Sequence, residues 1–139
     1  MSAINSGTPA DNHVFLAGPN NADVATARTG PYHSASAGRI FTGVVSLPSV
    51  LEGTGVVLTL MQATSAGGAG AKALATTTTS VEVTASPPGT RSFTATVSAR
   101  DSDLDLANGF AFIALRVDTD AATSGSGLIV VGNPRFLPA

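Results

Sequence analysis

The segment Ser92 to Ala99 alternates strictly, with Phe93, Ala95 and Val97 separated by Thr94, Thr96 and Ser98. Successive side chains of a strand point to opposite faces, so this spacing predicts a half-buried β-strand. The same signature recurs along the chain. Ile40 to Leu47 is a first β run, ended by Pro48. Val56 to Ala63 places Val56, Leu58 and Leu60 on one face and Val57, Thr59 and Met61 on the other. Lys72 to Thr76 reads as a short edge strand, and Ser80 to Ala85 as an alternating one carrying Val81 and Val83. Phe110 to Val117 and Leu128 to Val131 are apolar on both faces, as buried central strands are.

Turn chemistry punctuates these runs. The breaks are the glycine-rich stretch Ser65 to Gly70, Pro87-Pro88-Gly89, Asn108-Gly109, the small-residue stretch Ala121 to Gly127, and Gly132-Asn133-Pro134. No segment carries the period of an amphipathic helix. About eight closely spaced strands predict an all-β fold, a single β-sandwich. Jelly-roll-like and immunoglobulin-like topologies both fit. At 139 residues the chain has the size of one domain and can bury a core without a disulfide.

Residues 1–38 differ. They are poor in large apolar side chains and are broken at Gly18-Pro19-Asn20-Asn21 and at Gly30-Pro31. A segment of that composition does not bury itself. It reads as an extended N-terminal arm, residues 1–38, ahead of a β-sandwich domain, residues 39–139. Val14, Phe15 and Leu16 are the arm's contiguous large apolar residues and its expected partner-binding anchor; the alternative is a strand in the domain's own sheet. Phe136 and Leu137, bounded by Pro134 and Pro138, form a second expected contact or else close the core.

Composition excludes several functions. Without cysteine there is no disulfide, thiolate metal site or cysteine nucleophile. One lysine, Lys72, and six scattered arginines make no basic patch, so direct nucleic-acid binding is not expected. No apolar stretch approaches the length of a membrane span, and no secretory signal is visible. Only 12% of residues are charged, which suits a surface covered by neighbouring subunits, since interface cores are depleted of charge, and equally suits a soluble domain from an alanine-rich proteome.

Motifs for chemistry fail on inspection. Asp101, Asp103 and Asp105 have the spacing of a calcium loop, but Leu106 and Phe112 stand where a glycine and a bidentate glutamate belong. Asp103 and Asp105 alternate with Leu104 and Leu106, as in a half-buried extended segment. His13 and His33 have no partners at metal-ligand or catalytic spacing and read as exposed arm residues. Gly67 to Lys72 lacks the Ser or Thr that completes a phosphate loop. Two glutamates, Glu52 and Glu82, could serve a glycosidase by count alone. The absence of Trp argues against both such a cleft and a stacking sugar site. No catalytic residue, cofactor or metal is expected, and the chain is not expected to be an enzyme.

The stretch from Arg39 onward contains Leu58-Thr59-Leu60-Met61-Gln62-Ala63-Thr64-Ser65-Ala66-Gly67, Ala71-Lys72-Ala73-Leu74, Leu104-Asp105-Leu106-Ala107-Asn108-Gly109-Phe110 and a terminal Gly132-Asn133-Pro134-Arg135-Phe136-Leu137-Pro138. In this pattern it resembles small virion structural proteins of tailed bacteriophages. The resemblance implies a capsid decoration, or cement, protein. Such a protein binds the outside of an expanded head, often as a homotrimer, and braces the shell. The implied partners are the major capsid protein and further copies of the chain. The implied location is the capsid surface of a virion assembled in the host cytoplasm. No binding residue transfers position by position. Two further expectations stand beside it: a tail, fibre or baseplate component, and a secreted ligand-binding β-sandwich module.

Overall fold

A computed structural model describes residues 13–19 and 25–132. Among the described residues there are nine strands: β1 His13–Ala17, β2 Ala25–Thr29, β3 His33–Ser34, β4 Ile40–Leu51, β5 Gly55–Ala63, β6 Lys72–Ser80, β7 Thr90–Arg100, β8 Phe112–Thr123 and β9 Ser126–Gly132. The described residues contain 3-10 turns but no α-helix.

The strands form two antiparallel sheets. The front sheet has the order β1-β9-β4-β7 and the back sheet β2-β8-β5-β6, with the short β3 also pairing to β8. With β3 set aside and the other strands counted in chain order, the sheets read 1-8-3-6 over 2-7-4-5. That is a jelly roll, in which two Greek keys fold over one another. The all-β sandwich is therefore the observed class, and the jelly-roll form replaces the immunoglobulin-like alternative.

Alternation builds the core. In β4, Phe41, Val45 and Leu47 point inward; Val97 of β7 and Ile129 and Val131 of β9 complete the front layer. The back sheet answers with Val56, Leu58 and Leu60 of β5 and Ile113, Leu115 and Val117 of β8. All of these are at most 3% exposed. Interiors pack at crystal-like density, so a bulky side chain needs a small one opposite. Leu115 uses the space above Gly43, where a Cβ would lie 2.5 Å from its Cδ1.

The sheets begin at residue 13, not 39. Strand β1 runs against β9 from His13↔Gly132 to Ala17↔Leu128. Strand β2 pairs with β8, and so does β3. The expected arm boundary at residue 38 is thus corrected: residues 13–17, 25–29 and 33–34 belong to the sandwich. The physical reason is that main-chain ladders need no large side chains. Glycines reinforce this docking. A Cβ on Gly18 would lie 2.6 Å from the Gly127 carbonyl carbon, and one on Gly30 would lie 2.5 Å from the Gly18 carbonyl carbon. The Gly18 N–H donates to Gly127 O at 3.0 Å, and the Gly127 N–H to Pro19 O at 3.0 Å. Of the expected arm, residues 1–12 and 20–24 lie outside the described residues.

Four local expectations are also corrected. Strand β4 continues past Pro48 to Leu51, with the ladder to β7 shifting between Leu47 and Val50. Such irregularities are where a sheet tolerates proline. Strand β6 runs on to Ser80, beyond the short edge strand expected to end at Thr76. The alternation of Ser80 to Ala85 does not continue as a strand: β6 ends at Ser80 and Val83 is 55% exposed. Asp101–Asp103 and Leu106–Asn108 form 3-10 turns instead of one extended segment, so Leu104 is buried while Leu106 is 58% exposed.

Candidate partner-binding face

The inner rows of the front sheet are filled by core, so its outer rows are free to work. One outer row runs Phe15, Val130, Thr42, Ser98 across β1, β9, β4 and β7. The next runs Ala17, Leu128, Val44, Thr96 in the same strand order. The sheet face is therefore divided. Its β1-β9-β4 half carries Phe15, Leu128, Val130 and Val44; its β7 half carries the exposed hydroxyls of Thr94, Thr96 and Ser98. Phe15 is 61% exposed and Leu128 37%, while Val44 and Val130 are half-buried.

A phenyl ring that far out of the protein has no packing role comparable to a core phenylalanine. Apolar side chains clustered on a rigid sheet are a usual mark of a protein–protein contact. Phe15 is held by the β1-β9 ladder, so the ring is presented without an ordering cost to the backbone.

The expected anchor is split by strand alternation. Phe15 faces outward, Leu16 packs against the core, and Val14 stands opposite Val131 in the ladder. Phe136 and Leu137 lie outside the described residues. Leu128 and Val130, expected in a strand buried on both faces, instead show their side chains on the outer face. No spacing rule could have gathered this row, because its members come from β1, β4 and β9.

The aspartates have separate tasks. Asp103 Oδ2 accepts a 2.9 Å hydrogen bond from the Arg100 N–H. Asp105 pairs with Lys72 Nζ at 2.6 Å and accepts from Asn108 Nδ2 at 3.0 Å. Those hydrogen bonds, from Lys72 first and Asn108 second, hold the Asp105 carboxyl below its ordinary range. Lys72 Nζ also lies 4.2 Å from the centre of the Phe110 ring. This cluster fastens the 3-10 turns to β6. Among the described residues no group of three His, Asp or Glu side chains is placed to hold a metal ion. His33 Nε2 lies 2.8 Å from Ala17 O, linking β3 to the end of β1.

The back sheet presents a different surface. Arg116 and Asp118 form an ion pair at 2.8 Å, and Tyr32, raised above its ordinary pKa by burial, lies near Arg116 and beside Gly68. A shallow groove beyond them is lined by Gly55, Val57, Thr78, Asp118 and Asp120. Among the described residues no aromatic side chain lines it.

No protein-family model matches the sequence. No curated protein matches it significantly. Among solved structures, one described as "CBM4 structure and function" is similar in part. Identity is 13%, the TM-score is 0.34, and the match covers 86% of this chain and 91% of the other. At that level the likeness carries nothing about ligand, partner or site.

Proposed function

We propose that the chain is a non-catalytic binding module that docks on a partner protein through the apolar half of its front sheet. The observation that carries this is Phe15, 61% exposed on a ladder-bound strand and flanked by Leu128 and Val130. A charge content of 12% supports it, since a face meant to be covered has little use for charge.

The partner we propose is the outer surface of a tailed-phage head, to which the module adds as a decoration subunit. The support is the resemblance carried by residues 39–139. The test is co-sedimentation of the purified chain with expanded capsid shells, comparing the unaltered protein with Phe15→Ser. The unaltered protein pellets with the shells and the variant stays in solution. Equal pelleting of both would remove Phe15 from the interface, and pelleting of neither would remove the capsid. Decoration of tails or baseplates, seen by electron microscopy, would place the module elsewhere in the virion.

The second reading is a soluble-ligand module, and the groove beside Asp118 and Asp120 favours it. Sugar rings commonly stack on aromatic faces, and among the described residues this groove has none. Calorimetric titration with soluble glycans separates the readings: heats of binding lost in Asp118→Ala would favour the groove.

A further inference from the structure

The four outer edges of the sandwich are not equally protected. Natural sandwiches blunt their edges by shortness, bulges, prolines or charges, because an open edge pairs with another strand. β1 and β2 have five residues each, and the β2 ladder shifts between Ala25 and Ala27. β6 begins at Lys72, which is tied to Asp105, and its ladder shifts beside Leu60. β7 has none of these devices before its last residue, where Asp103 Oδ2 takes up the Arg100 N–H. It spans eleven residues, contains no proline and has no charge between Arg91 and Arg100. From Phe93 to Arg100 its ladder to β4 is unbroken, the shift near Pro48 lying on the β4 side. Among the described residues no other strand pairs with its outer edge.

We infer that β7 is a self-association edge, pairing antiparallel with β7 of a second copy to make one continuous eight-stranded front sheet. This does not rest on the partner proposed for the apolar half of the same sheet.

The strand's own sequence selects the second copy as occupant. Continuing the sheet requires outward residues to meet outward residues. The register that pairs Arg91 to Ala99 in full with the same segment of a second copy is centred on Ala95. It sets Thr94 opposite the second copy's Thr96 and Ser92 opposite its Ser98. Hydroxyl and β-branched side chains at directly opposed positions stabilise antiparallel pairs. Thr42 and Ser98 already show such a contact inside the sheet, with their oxygens 3.2 Å apart. In this register Arg91 meets Ala99 and Arg100 meets Thr90, so no like charges face each other. The contact is isologous, which closes at two copies and excludes a three-fold ring through this edge.

The test uses the full chain. Light scattering after size exclusion is expected to give a dimer. The double substitution Thr94→Lys with Thr96→Lys brings four ammonium groups together at the two-fold and is expected to give a monomer. Both threonines are exposed, so circular dichroism and thermal melting should stay as in the unaltered protein. Cross-linking then reads the register. A mixture of Thr94→Cys and Thr96→Cys proteins should form an interchain disulfide on oxidation, and the natural chain has no cysteine to compete. A monomer at every concentration, a trimer, or a dimer that survives the lysine pair would overturn the inference. So would a dimer that appears only after residues 1–12 are deleted, because that segment would then be the occupant of the edge.

Discussion

Glu52, at the turn after β4, accepts a 2.6 Å hydrogen bond from the hydroxyl of Thr84. It also receives the main-chain N–H groups of Thr84 and Gly89, each at 3.3 Å. One carboxylate thus ties the β4-β5 turn to the segment that leads into β7. The Thr84 hydroxyl bond is the largest of the effects that hold its pKa below the ordinary glutamate value; burial opposes them.

That geometry has a pH signature. A carboxyl group whose folded pKa is depressed adds stability above its unfolded value, and the contribution is lost as pH falls through the folded value. The Glu52→Gln variant should therefore melt at a lower temperature than the unaltered protein at pH 7. The gap should close below about pH 4, the ordinary range of glutamate. Melting curves from pH 7 to pH 3 check this; a gap that stays constant with pH would show that Glu52 acts by shape alone.

Two leucines in contrasting environments should respond differently to truncation. Leu115 is fully buried between the sheets, so Leu115→Ala should cost about 2–5 kcal/mol. Leu106 is 58% exposed, so Leu106→Ala should stay within about 0.5 kcal/mol. Urea titration of both variants measures the contrast.

Glycine at the β1-β2 crossing is required by backbone contact, not by turn conformation. Gly30→Ala places a Cβ against main-chain atoms of Gly18 and Pro19, which cannot swing aside. A loss of about 1–3 kcal/mol is expected, as for other overpacked sites. Gly89→Ala meets nothing within 4 Å and should melt like the unaltered chain.

Truncation separates the sandwich from what precedes it. Deleting residues 1–12 leaves every described strand in place and should preserve the thermal melt. Deleting residues 1–38 removes β1, β2 and β3 and strips Leu16 and Ala35 from the core. That shorter chain should be insoluble or should melt far lower. A fragment 39–139 that melts like the full protein would contradict the assignment of β1–β3 to the sandwich.

Much of the sandwich was legible because its central strands carry their own pattern. β5 and β7 alternate, and β8 is apolar on both faces between two partners, so periodicity and burial coincide. β2 and β3 were not legible as sheet, and β1 was legible only as the alternative reading of Val14 to Leu16. They are held by main-chain ladders and glycine contacts, which leave no hydrophobic period. Val83 and Leu106 misled for the reverse reason: each alternates with polar neighbours but sits where its strand has already ended. Of the candidate face, Phe15 was visible as part of a short apolar run. Leu128 and Val130 were not, since an unbroken apolar strand gives no hint that one of its faces is open.

The pairing of β1 with β9 has a consequence for how the protein is made. The first described strand to leave a ribosome finds its ladder partner only among the last described residues. Until those residues emerge, the place of β9 between β1 and β4 stays vacant, and Phe41 and Val45 lack the cover of Ile129 and Val131. Closure of such distant segments is slow compared with local pairing. Folding of this domain therefore waits for β9, and a stalled or truncated chain remains open along the middle of its front sheet.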